Sequence, residues 1–235
     1  MASQSGVTAA TIYKNDNSNP LNTTTSWSGD IVPGVNDTAA WELTVTSANS
    51  TVLGANLAWN GIFITNPSGL VTIGGANTLT LGRSGIDMSF ASQGLTINSN
   101  LATAAGNQTW NVATGQTLTL QTGTFTRSAA ATVVIDRTVN AGTVAASNIT
   151  NTNNIVGPWM SVKNGGTAAN GSANGNTFAA SGGTIEAFTT ATPAANFAYA
   201  TSATANHDVT LTGPQTIGVA RDANTVRHIG GVATV

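Results

Sequence analysis

Residues 69–88 read Gly69-Leu70-Val71-Thr72-Ile73-Gly74-Gly75-Ala76-Asn77-Thr78-Leu79-Thr80-Leu81-Gly82-Arg83-Ser84-Gly85-Ile86-Asp87-Met88. Three apolar doublets lie here: Val71/Ile73, Leu79/Leu81 and Ile86/Met88. Within each doublet the apolar residues are two apart, the period of a strand with one buried face. The tetrads Gly74–Asn77 and Gly82–Gly85 between them are turn-forming. Such short strands do not suit a meander or a sandwich, whose strands usually run to about five or six residues. They suit a chain that coils, turning three times per rung.

The pattern continues on both sides. Ile62/Ile64 precedes it, and Leu95/Ile97, Trp110/Val112 and Leu118/Leu120 follow. Further corners are Asn66-Pro67-Ser68-Gly69, Asn98-Ser99-Asn100 and Thr114-Gly115-Gln116. Doublets recur about every seven to nine residues, the spacing of short strands in all-β folds. Three per rung gives a rung of roughly 22–27 residues, inside the range that marks solenoids. One coil cannot bury its inward residues, but stacked coils shield each other. With strands about 4.8 Å apart, about nine coils would make a rod about 40 Å long. Thr72, Thr78, Thr80, Thr96, Thr117 and Thr119 are predicted to face outward, where β-branched polar residues suit a solvated sheet.

The predicted fold class is therefore all-β, a parallel β-helix (β-solenoid) with an irregular N-terminal cap and one long loop excursion. Residues 1–50 are read as the cap, with Trp27, and the first coil. Residues 51–150 are the regular coils. Residues 151–235 continue the solenoid, with a Gly/Asn-rich loop near 163–182. The apolar run Ile229–Val235 shows no polar cap, so further coils or another subunit are expected to stack there.

Composition narrows the function. Of 235 residues, 7% are charged and 40% apolar; soluble domains usually carry about 25% charged residues. Disorder usually combines low hydrophobicity with high net charge, and a net charge of −2 offers neither. Seven Lys and Arg without a cluster do not displace phosphate counterions, so nucleic acid is not an expected partner. No apolar run reaches about 18 residues, so no membrane span is expected. Cysteine is absent, which fits a large extracellular bacterial surface protein. Met1-Ala2-Ser3-Gln4-Ser5 lacks the basic start and apolar stretch of a signal peptide, so a secreted form would be a mature chain or an interior piece.

Several motifs together resemble one family. Thr25-Ser26-Trp27-Ser28-Gly29, Val32-Pro33-Gly34 and Asn36-Asp37-Thr38-Ala39 resemble an "NW…P…ND.A" opening. Asn107-Gln108-Thr109-Trp110-Asn111-Val112 is similar to an "NQTWNV" rung. Ile155-Val156-Gly157-Pro158-Trp159-Met160-Ser161-Val162 is similar to "GGWATV", and Asn224-Thr225-Val226-Arg227 to "NSLRF". The family is that of bacterial surface proteins with autotransporter-associated β-strand repeats. The resemblance implies a right-handed parallel β-helix with structural or adhesive roles, and it supplies no catalytic residue. The chain carries no motif of a C-terminal membrane barrel or sorting tail.

Candidate chemistry is sparse. Asp16, Asp30, Asp37, Glu42, Asp87, Asp136, Glu186, Asp208 and Asp222 are scattered. Lyase or glycosidase chemistry needs carboxylates within several ångströms of each other. Asp136 and Arg137 are adjacent on a strand and so point to opposite faces. The densest polar cluster is His207, Asp208, Arg221, Asp222, Arg227 and His228. With a coil period near 20, His207-Asp208 and Arg227-His228 would lie on neighbouring rungs, a weak acid–base site; a surface ion pair is the plainer reading. Asp16-Asn17-Ser18-Asn19 and Asn36-Asp37-Thr38 are oxygen-rich, but turn chemistry accounts for them better than Ca²⁺. Neither a metal nor a cofactor is expected.

Thr-x-Thr triplets at 44–46, 78–80, 117–119, 124–126 and 210–212 are unevenly spaced, so an aligned ladder of the ice-binding kind is not expected. Trp27, Trp41, Trp59, Trp110 and Trp159 could stack on sugars, although isolated tryptophans more often fill a core. The leading expectation is a non-enzymatic structural or adhesive β-solenoid on a bacterial surface or outside the cell. Its partners would be itself, further coils of a longer chain, or surface glycans. One alternative is a self-assembling fibre subunit joined through open edges. Another is a carbohydrate-active β-helix.

Overall fold

The computed structural model describes residues 9–121, 123–164, 176–187, 192–195, 202–210 and 223–228. The chain is all-β, a parallel β-solenoid of about six turns. The two 3-10 turns, Thr24–Ser26 and Ser28–Asp30, are its only helical elements among the described residues.

Each full turn contributes to three faces. The first face stacks Asn49–Val52, Val71–Gly74, Leu95–Ile97, Thr117–Leu120 and Thr143–Ala146, all parallel. The second face stacks residues 57–59, 78–81, Asn100–Thr103 and Phe125–Arg127. The third stacks Thr11–Tyr13, Thr38–Trp41, residues 61–64 and 85–88, Gly106–Val112, Ala131–Arg137 and Met160–Asn164. Two long strands, Leu57–Ile64 and Thr78–Met88, run through the corner and join the second and third faces in one sheet.

Register confirms the rung length read from the doublets. The step is 22 from Asn49 to Val71, 23 from Thr38 to Gly61, 24 from Ile86 to Trp110, 25 from Trp110 to Ile135 and 27 from Ile135 to Val162. All seven doublets from Ile62/Ile64 to Leu118/Leu120 point inward and are buried. One inward column runs Ile12, Ala39, Ile62, Ile86, Trp110, Ile135, Val162 through the third face. Each fully buried aliphatic side chain contributes about 1.5–3 kcal/mol, so the columns are the main stabilising element.

The expected nine coils are too many. Six steps of about 4.8 Å give a stack about 29 Å long. Among the described residues the parallel stack is interrupted after Met160–Asn164. Asn176–Ser181 pairs antiparallel with that strand, and Ile185–Ala187 pairs antiparallel in turn. This pair also reaches the first face, where the Ala146 N–H donates to the Gly183 carbonyl. Ala179 and Ile185 are fully buried beneath it, so it covers the last turn. Of the loop read near 163–182, residues 165–175 lie outside the described residues, and 176–181 form a strand. Thr192–Ala195, Ser202–Thr210 and Ala223–His228 form a separate three-stranded parallel sheet.

The opposite end is covered by the N-terminal segment. The Leu21 and Asn22 N–H groups donate to the Val52 and Leu53 carbonyls, at and just past the end of the first strand of the first face. Trp27, expected in the cap, packs edge-on against Trp41 and Trp59, each at 5.6 Å between ring centroids. Its indole N–H donates to the Leu21 carbonyl at 2.8 Å.

Candidate functional surface

The outward residues decide what this rod can touch. On the first face, Ser50, Thr72, Thr96, Thr119 and Ala145 form one in-register column. The corners absorb the length differences, so the strands stay in register. The Thr-x-Thr triplets themselves do not stack: Thr117–Thr119 lies on this face, whereas Thr80 and Thr126 lie on the second with Ala102 between them, so no aligned triplet ladder forms among the described residues, as expected. The predicted outward threonines, from Thr72 to Thr119, are all half-exposed. On the second face threonine alternates with alanine: Ala58, Thr80, Ala102, Thr126.

The third face carries the chemistry. Phe63 is the register partner of Asp87, and Asp87 of Asn111. One strand further, Asp136 is the partner of Lys163, and the Lys163 Nζ donates to Asp136 Oδ2 at 3.1 Å. Burial works against the Asp136 carboxylate, but hydrogen bonds from the Thr138 hydroxyl and N–H, together with Lys163, hold it below the usual carboxyl range. Asp87 Oδ1 accepts the Ser89 N–H at 2.9 Å, while Oδ2 has no partner among the described residues. Asn111 Oδ1 accepts from Asn140 Nδ2 at 3.1 Å, and the Asn111 amide N–H groups have no partner among the described residues. The Ser84 hydroxyl oxygen accepts from Asn60 Nδ2 at 2.9 Å, and its proton has no acceptor among the described residues.

Two adjoining depressions lie along this column. One, of about 310 Å³, is lined by Thr38, Ile62, Phe63, Ser84 and Asp87. The other, of about 190 Å³, is lined by Ser84, Ile86, Asp87, Ser89, Thr109 and Asn111. Ser84 and Asp87 belong to both, so the two form one shallow groove across the rungs. Beside the column Gly61 pairs with Gly85, and the Ser84 side chain packs over Gly61, so small polar residues wall that flank of Phe63 and Asp87. Residue-level reading of the sequence counted Asp87 among scattered acids and passed over Phe63. The missed signal was spacing: Phe63, Asp87 and Asn111 are one rung apart at each step.

Of the sequence candidates, Asp208 and Arg227 are register partners on adjacent parallel strands, as are His207 with Val226 and His228 with Val209. The neighbouring-rung placement is thus present at the backbone, with a step of 19 residues from Asp208 to Arg227. Arg221 and Asp222 lie outside the described residues, as does the Ile229–Val235 run. No group of three metal-ligating side chains occurs among the described residues. Both oxygen-rich segments are occupied internally. Lys14 Nζ donates to the Asn15 carbonyl and to the Asn17 carbonyl and Oδ1, at 2.8–2.9 Å. The Asp37 carboxylate accepts the Ala10 and Gly34 N–H groups.

Most tryptophans are unavailable to sugars. Trp27, Trp41, Trp59 and Trp110 are fully buried, and half-buried Trp159 stacks on Phe125 with Arg127 over its ring.

Lys14 is 1% exposed, and burial lowers its pKa to about 8, with Asp16 opposing. The unfolded chain, with the ordinary value of 10.5, binds more protons between these limits. Stability is thus expected to rise with pH from about 8 towards 10.5. The rise should vanish in Lys14→Met, so the melting-temperature difference between the two proteins, followed across that window, checks it.

Arg137 forks onto the Glu186 carboxylate and donates to the Ile185 carbonyl, tying the covering strand to the third face. Arg137→Ala is expected to cost about 1–2 kcal/mol in urea unfolding, since the pair is bidentate but partly exposed. Glu186→Gln should cost less than Arg137→Ala.

The chain is thus a parallel β-solenoid with a polar groove on one face. No family model matches it, and no curated protein or solved structure does either. No helix among the described residues is long and apolar enough to cross a membrane.

Proposed function

We propose that this chain is a structural or adhesive β-solenoid segment on the outside of a bacterial cell, akin to proteins with autotransporter-associated repeats, and not an enzyme. The observation that carries the reading is the division of labour along the rungs. Large side chains point inward into continuous columns, while the first two faces, Val52 and Arg127 apart, present small uncharged ones. Such a body is a stiff spacer with a long, repetitive outer surface. Absence of cysteine and scarcity of charge support an extracellular setting. The carboxylates on described side chains are committed to turns and ion pairs, apart from one oxygen of Asp87 and the solvated acids of loops.

The rod reading is favoured over a fibre subunit by what covers the stack. The N-terminal segment lies on one end and the antiparallel pair on the other. Immunolabelling of intact cells of the source organism tests the reading. Label on unpermeabilised cells, with isolated short rods by electron microscopy of the purified protein, is the expected result. Label only after permeabilisation would overturn the location, and filaments would favour the fibre.

A further inference from the structure

We propose that the groove along Phe63, Asp87 and Asn111 binds an uncharged oligosaccharide lying parallel to the solenoid axis. The proposal stands apart from the surface-rod reading, because it rests on three side chains and not on location. Register sets these side chains in a row on adjacent strands, about 4.8 Å apart. A pyranose unit in an extended glycan is about as long as one such step, so successive sugars meet successive rungs.

Each position offers something a sugar uses. The half-exposed Phe63 ring is an apolar platform for the C–H face of a pyranose. Asp87 Oδ2 is an unused acceptor and Asn111 Nδ2 an unused donor, side by side. A carboxylate beside an amide matches two neighbouring hydroxyls, one donating to Asp87 and the other accepting from Asn111. The Ser84 hydroxyl and the exposed Thr109 hydroxyl line the flank beside this row. The glycine pair Gly61 and Gly85 adds no side chain of its own to that flank, so its wall is only as high as Ser84 and Thr109.

Charge selects the neutral glycan over its rivals. Among the described residues Asp87 is the only ionisable group lining either depression, so an acidic polysaccharide meets a repelling carboxylate with no paired base there. A cationic peptide would find one carboxylate among hydroxyls and an amide, too little for a charge-driven site.

The test is titration calorimetry of the intact protein against uncharged hexasaccharides of glucose, xylose, mannose and N-acetylglucosamine, with an oligolysine in parallel. Binding of at least one hexasaccharide is expected. Phe63→Ala and Asp87→Ala should each weaken it about tenfold or more. Thr96→Ala, on the first face, should leave it unchanged. Circular dichroism of each variant checks folding, and Asp87→Asn supplies a near-isosteric second variant for the carboxylate. No binding of any hexasaccharide, binding unaltered in folded Phe63→Ala and Asp87→Asn, or binding of oligolysine alone would each overturn the proposal. None of these outcomes touches the surface-labelling result.

Discussion

Trp41→Ala is expected to cost about 3–5 kcal/mol in chemical denaturation, the range for emptying a fully buried aromatic site. Trp27, Trp41 and Trp59 lie on consecutive windings with ring centroids 5.6–6.3 Å apart and no exposed surface. Their contact bridges the irregular N-terminal segment to the first regular turns, so loss of one ring opens a cavity its neighbours cannot fill. The Phe substitutions are more discriminating. The Trp41 indole N–H donates to the buried Asn49 Oδ1 at 3.1 Å, so Trp41→Phe removes volume and leaves an acceptor unpaired. Trp59 Nε1 has no partner among the described residues, so Trp59→Phe removes a buried unsatisfied donor along with the volume. Trp41→Phe should therefore cost about 1–2 kcal/mol more than Trp59→Phe. Equal losses would mean that ring volume alone holds the cluster.

The fold was legible because its signal is local. An apolar residue every second position, broken by Gly or Asn, is visible in a window of a few residues, and Val71/Ile73 or Leu95/Ile97 needs no distant partner to be read. Rung length followed from the same count. Turn number did not, because the antiparallel Asn176–Ser181 looks like any short strand until its partner is known. The same doublet pattern serves parallel and antiparallel pairing. Trp41 and Trp159 are equally opaque in sequence: one is in the core and the other half-buried over Phe125. The groove was legible only to a reader who folds the chain on its own period, since Phe63, Asp87 and Asn111 are strangers in sequence and neighbours in register. The lysine among the Asn15–Asn17 oxygens follows from no spacing rule. A basic residue beside an oxygen-rich turn can donate to it as readily as it can face solvent.

Gly85→Ala carries the second large expected loss, about 2–4 kcal/mol from backbone strain and overpacking together. Gly85 sits at φ +61°, in the left-handed region, and an added Cβ would lie 2.4 Å from the Thr109 carbonyl oxygen on the next rung. That oxygen belongs to the backbone of a strand paired on both sides, so relief requires moving the rung itself. Gly115 is the matched control, with φ +84° and nothing within 4 Å of an added Cβ. Gly115→Ala should show the conformational penalty alone, about 1 kcal/mol. The difference between the two, measured by urea unfolding, isolates the close approach of successive rungs. A Gly85→Ala protein as stable as Gly115→Ala would mean that the third face can open between residues 85 and 109 without cost. The Asp87–Asn111 pairing, and the glycan groove built on it, would then lose its rigid frame.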